Sequence, residues 1–153
     1  MARVRVVVEL EVDLSEDIVV VERAIADEGR RAARELYGTA VTELDRRAVE
    51  ESGAARQRLE DRWLATLVGR VRLRRYRVRG RERSFHPLDR ALGLGPGEPS
   101  PALRLALRDL ATMLSHRDAA RALAWITGER LSAQAVSRAL GEQSVTPRRH
   151  SPS

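Results

Sequence analysis

The stretch from Trp63 to Phe85 reads WLATLVGRVRLRRYRVRGRERSF, and its alternation decides the fold. Trp63 to Leu67 predicts a short strand, Val68 and Gly69 a turn, and Arg70 to Arg79 a second strand. In the second strand Val71 and Leu73 share one face, while Arg70, Arg72 and Arg74 share the other. The alternation slips at Arg74–Arg75. Beyond it Tyr76 and Val78 are the apolar positions, and Arg75, Arg77 and Arg79 the charged ones. A β-bulge at 74–75 absorbs the extra residue and keeps all the arginines on one side. Gly80 and Arg81 turn the chain, and residues 82–86 return as a third strand, ended by Pro87.

Upstream, residues 3–13 (RVRVVVELEVD) also alternate, which predicts a half-buried strand. Ser15 reads as an N-cap followed by Glu16 and Asp17. A long helix then runs to about Glu51, with a stripe through Ile18, Val21, Ile25, Ala32, Leu36, Ala40, Leu44 and Ala48. That stripe must be covered, either by the core or by a second copy. SGAAR, 52–56, is a break.

Downstream, Asp89 reads as a cap for RALG, and GLGPGEPSP, 93–101, as a linker. Three helices follow it. The first starts at Pro101 after Ser100, with Leu103, Leu107, Leu110 and Leu114 as its stripe. The second starts after Ser115 and ends at Gly128. The third starts after Ser132 and ends at Gly141. The expected organisation is residues 1–92 as strand, long helix and basic hairpin, 93–101 as linker, 102–142 as a helix-turn-helix-like region, and 143–153 as a disordered tail. The fold class is α+β and mainly helical.

Composition narrows the chemistry. The chain has 153 residues, no cysteine and three histidines, so disulfides and thiolate metal sites are excluded. The histidines lack ligand spacing, and neither metal nor cofactor is expected. No apolar run reaches the ~18–20 residues of a membrane span, and a cytoplasmic, nucleoid-associated bacterial protein is the expectation. Formal net charge is +6, and all 28 basic residues are arginine. Arg70 to Arg83 holds eight arginines against one glutamate, so the rest of the chain is nearly neutral. A localised basic patch points to a polyanion.

Two sets of candidate residues follow. Arg70, Arg72, Arg74, Arg75, Arg77, Arg79 and Arg81 are spaced to track phosphates, with Tyr76 and Phe85 packed below. About five neutralised phosphates would give a log–log salt slope of roughly −4.5. The second and third C-terminal helices have helix-turn-helix proportions, with Ala119 and Ala120 allowing close approach and Val136 completing the contact. Ser132, Gln134, Ser137 and Arg138 then face a major groove, where Gln suits adenine and Arg suits guanine. Enzyme readings find no support: no motif gathers carboxylates, no serine has a histidine partner, and no phosphate loop occurs.

Five segments in order carry a resemblance. They are the Leu44-Asp45 pair ending a long helix; Gly69, Val71, Arg75 and Tyr76 in a strand; PLDRALGL at 87–94; Ser115, Arg117, Asp118, Ala119, Ala120 and Leu123; and Leu131, Ser132, Val136 and Arg138. Together, over about residues 16–142, they resemble the N-terminal region of bacterial insertion-sequence transposases of the ISKra and ISLre types, related to mutator-like transposases. The resemblance implies binding of element-end DNA. In that family a catalytic core with three metal-holding acids follows, where this sequence stops at Ser153. The expectation is therefore a truncated transposase that binds duplex DNA without catalysing strand transfer, partnered by a second copy or a full-length transposase. The alternatives are an independent DNA-binding regulator and an oligomerisation module built on the long helix.

Overall fold

The computed structural model describes residues 3–141; the expected tail at 143–153 lies outside the described residues. The fold is α+β, with helix over about half of it. Helix α1 runs Ile18–Ser52, strand β1 Ala55–Thr66, β2 Gly69–Arg79 and β3 Ser84–Phe85. Helices α2 (Pro87–Ala91), α3 (Pro101–Ala111), α4 (His116–Thr127) and α5 (Ala133–Ala139) follow. The sheet is antiparallel in the order β1-β2-β3.

Adjacent residues of β1 organise the core. Leu64 packs with Val41 of α1, Val71 and Leu73 of β2, Leu88 of α2, and Leu94. Ala65, pointing the other way, meets a second cluster of Leu103, Leu107, Ala120, Leu123 and Val136. One strand thus carries the long helix on one face and the helical unit on the other, as side-chain alternation dictates.

The capping chemistry of the C-terminal helices is local and follows the sequence. Ser100, Ser115 and Ser132 each accept a backbone N–H three residues on, from Leu103, Asp118 and Ala135 at 3.2, 3.2 and 3.0 Å. For α1 the cap is Asp17, accepting from Val19 N–H at 2.9 Å, while Ser15 bonds back to Asp13. Gly53 closes α1 in the left-handed region at φ 61°.

Four expectations change. Residues 3–13 pair with no strand among the described residues; alternation specifies a face but names no partner. Val6, Val8 and Val12 are still half-buried, and Arg3 and Val4 share a cleft with Thr39, Thr42, Glu43 and Arg47. The segment therefore starts beside the second half of α1. Second, β1 begins at Ala55, not Trp63, because β2 supplies a ladder along its charged first half. Third, the register shift lies on β1 between Arg56 and Arg58, with Gln57 the extra residue, not at 74–75 on β2. Fourth, residues 93–101 are docked: Leu94, Pro99 and Ser100 are buried. Arg62 Nη2 donates to the carbonyls of Gly95 and Glu98 at 2.6 and 3.2 Å, and Ser100 N–H to Ala65 O at 2.9 Å.

Candidate nucleic-acid interface

With the bulge on β1, β2 keeps period two from Val71 through Leu73 to Arg75, which places Arg75 on the core side at 7% exposure. The expectation that Arg75 lies on the cationic face is corrected. Asp89 provides the reason: it accepts from Arg75 Nε and Nη2 at 2.7 and 3.0 Å. Arg62 Nη1 reaches the same carboxylate at 3.2 Å. Asp89, expected as a cap, is the anchor of a buried ion pair.

The other hairpin arginines divide. Arg72 Nε donates to Asp61 at 2.9 Å, and Arg74 Nε pairs with the same residue at 3.3 Å. Arg77 reaches Glu60 at 3.5 Å. Arg70 lies over the Trp63 ring, 5.2 Å from its centroid. Arg79 and Arg81 are exposed and, among the described residues, unpaired; Arg83 beside them is the same. Below the sheet, Tyr76 is half-buried under the Arg56 guanidinium and Phe85 under that of Arg90.

The acids that neutralise the hairpin stay ionised. Hydrogen bonds from His86, at 2.7 Å, and from Arg58 pull Glu60 down to about 2. Arg72 and Arg74 hold Asp61 below the ordinary aspartate value. Asp45 goes the other way: burial raises it, partly offset by the Tyr76 N–H at 3.2 Å.

The helical pair is built as expected. Ala119 is fully buried, and Ala120, Leu123 and Val136 pack with Leu103 and Leu107 between α3, α4 and α5. On α5, Gln134 and Arg138 are exposed on one face, one turn apart, and Ser137 is half-buried beside them. The Ser132 hydroxyl accepts the Ala135 N–H as the α5 cap and stands, exposed, at the helix entrance.

A third cationic feature was missed by sequence reasoning. An open groove of about 1000 Å³ lies between α1 and the α4–α5 turn. Arg23 and Arg30 line it from α1, Arg117 and Arg121 from α4, and Arg130 from the turn. Arg30 pairs with Asp27. Arg23, Arg117, Arg121 and Arg130 are exposed and pair with no acid among the described residues. Trp125, 74% exposed, stands in the same groove. These residues are spread over more than one hundred positions, so no window of the sequence shows them together. The one local signal was Arg117 and Arg121 at i, i+4 on α4.

Two glycines fix this geometry. A Cβ on Gly128, at φ 74°, would stand 2.7 Å from Arg30 Nε; one on Gly69, at φ 106°, would stand 3.2 Å from Arg34 Nη1. Arg34 Nη1 also donates to Val68 O at 3.2 Å. The middle of α1 thus touches both the hairpin turn and the end of α4.

No known family model matches the chain. It is similar to a protein named "UPF0236 protein in vanSb 3'region" from Streptococcus gallolyticus. The two are 36% identical over 99 residues, which is 59% of this chain and 22% of the relative. The chain therefore matches about a fifth of that protein's length. No helix among the described residues is long and apolar enough to cross a membrane.

Proposed function

We propose that this region binds duplex DNA, with α5 as the reading helix and the flanking groove as the phosphate grip. The observation that carries the reading is the set of four arginines around the entrance to α5 that pair with no acid among the described residues. A reading helix needs backbone contacts on both sides to fix its register, and arginine suits phosphate. Gln134 and Arg138, exposed on successive turns, are the base-reading residues. Arg79, Arg81 and Arg83 extend the cationic surface at the far end of the hairpin. Following the resemblance to insertion-sequence transposases, the target is the terminal DNA of a mobile element, and this region supplies recognition and no chemistry.

Fluorescence anisotropy with labelled duplexes over a salt series tests it. The expected result is binding whose log affinity falls linearly with log salt. Absence of binding to every duplex at low ionic strength would refute it. Competition by the purified chain in a transposition assay separates the transposase reading from an independent regulator, which would leave that assay unchanged.

A further inference from the structure

The segment before α1 is not part of the proposed DNA-binding surface. Residues 3–13 form no helix or strand, and residues 3–12 make no backbone hydrogen bond among the described residues. Val7 and Leu10 are 78% and 49% exposed. An extended segment without a ladder presents two open rows of N–H and C=O groups, which is a template for pairing.

The order of its residues specifies the partner. Set antiparallel against a second copy, with Val8 facing Val8, Arg3 meets Asp13 and Arg5 meets Glu11. On the other face Val4 meets Val12 and Val6 meets Leu10. Two-fold symmetry makes each of these pairs occur twice, and all eleven residues find a partner. Parallel in-register pairing would instead put Arg5 on Arg5 and Glu9 on Glu9, a like-charge arrangement that destabilises a ladder. A one-residue slip would move the apolar face outward.

We propose that residues 3–13 are a homodimerisation strand. Two copies join edge to edge through an antiparallel ribbon centred on Val8. The half-buried face of Val6, Val8 and Val12 stays turned toward each copy's own protein, and the second copy's Val12 and Val6 pack beside Val4 and Leu10. A two-stranded ribbon is marginal by itself, so association depends on protein concentration and on the charge pairs. The interface is self-matching, as two-fold dimers require.

Sedimentation analysis of the whole chain without DNA tests this independently of nucleic-acid binding. The wild-type chain is expected to show a monomer–dimer equilibrium. Arg5→Glu and Glu11→Arg should each weaken it roughly tenfold or more, since each places two like-charge pairs in the ladder. An equimolar mixture of the two variants should restore a heterodimer, because the reversed charges then match. Val8→Cys should give a disulfide-linked dimer on oxidation, and Val4→Cys, far from its own symmetry mate, should not. Unchanged circular dichroism checks that the variants fold. A monomer at every concentration, a dimer indifferent to both charge reversals, or equal cross-linking at Val4→Cys and Val8→Cys would each overturn the proposal.

Discussion

Arg72, Arg74 and Arg77 on the hairpin pair with carboxylates one strand away, whereas Arg23, Arg117, Arg121 and Arg130 pair with none among the described residues, although Asp27 and Glu129 line the same groove. In the sequence the order is reversed: the hairpin is the densest run of positive charge, and the groove is invisible. Charge density along a chain and charge presented in space are different quantities. Strand pairing brings Glu60 and Asp61 onto the hairpin, while helix packing collects arginines from distant turns. A basic run read from sequence must therefore be discounted for its cross-strand acids before it is assigned to a ligand.

The largest effect that sharpens this contrast concerns Arg75, the hairpin arginine turned inward. Arg75→Ala leaves Asp89 without its main partner in a mostly buried site and should cost about 3 kcal/mol or more in urea denaturation. Arg72→Ala, losing an exposed pair, should cost under about 1 kcal/mol. Equal costs would remove the distinction between the inward and outward arginines.

Next comes DNA binding itself. Arg117→Ala with Arg121→Ala should reduce the salt slope by about 1.8, the value for two phosphate contacts. Arg72→Ala with Arg77→Ala should reduce it by less than half as much, because Asp61 and Glu60 already compensate those cations. The reverse order in anisotropy titrations would restore the hairpin as the main grip. Arg138→Ala should reduce discrimination between target and random duplex by about 1–3 kcal/mol, with a small change in slope.

Smaller is the unmasking of the hairpin. Asp61→Asn frees Arg72 and Arg74 and should raise affinity for random duplex a few-fold at low salt; no change would mean the hairpin lies away from the DNA. The smallest effect is in pH. Glu60 is held at about 2, below the ordinary carboxylate value, so its stabilisation is complete above about pH 4.5 and fades as pH falls through about 2. The stability difference between wild type and Glu60→Gln should therefore shrink as pH falls from about 4.5 through about 2 in acid titrations.

How much was legible follows from how local each cause is. The caps at Ser100, Ser115 and Ser132 and the closing Gly128 act within a few residues, so the sequence displayed them. The apolar alternation of Val71 and Leu73 likewise marked the buried face. Arg75 did not read as buried because Asp89, its partner, is fourteen residues away on another element. The bulge was sensed as a slip in parity, but parity does not say which strand holds the extra residue. For residues 3–13 alternation marked a face, of which Val6, Val8 and Val12 are half-buried while Val4 and Leu10 are exposed, but it could not supply the neighbouring segment a strand needs. Of the segments behind the transposase resemblance, the first three have residues that meet in the interior: Asp45 with Tyr76, Arg75 with Asp89, and Leu88 and Leu94 with Val71.

The ties made by Arg62 have a dynamic consequence. Its guanidinium holds Asp89 and two carbonyls of the 93–100 loop at once, and the Ser100 amide closes the same loop onto Ala65. Opening that loop breaks the two Arg62–carbonyl bonds and the Ser100 bond together and wets Leu94 and Pro99. The loop is therefore a cooperative opening unit in the sense of native-state hydrogen exchange. Solvent would reach the Ser100 amide only when the sheet and the helical unit briefly part.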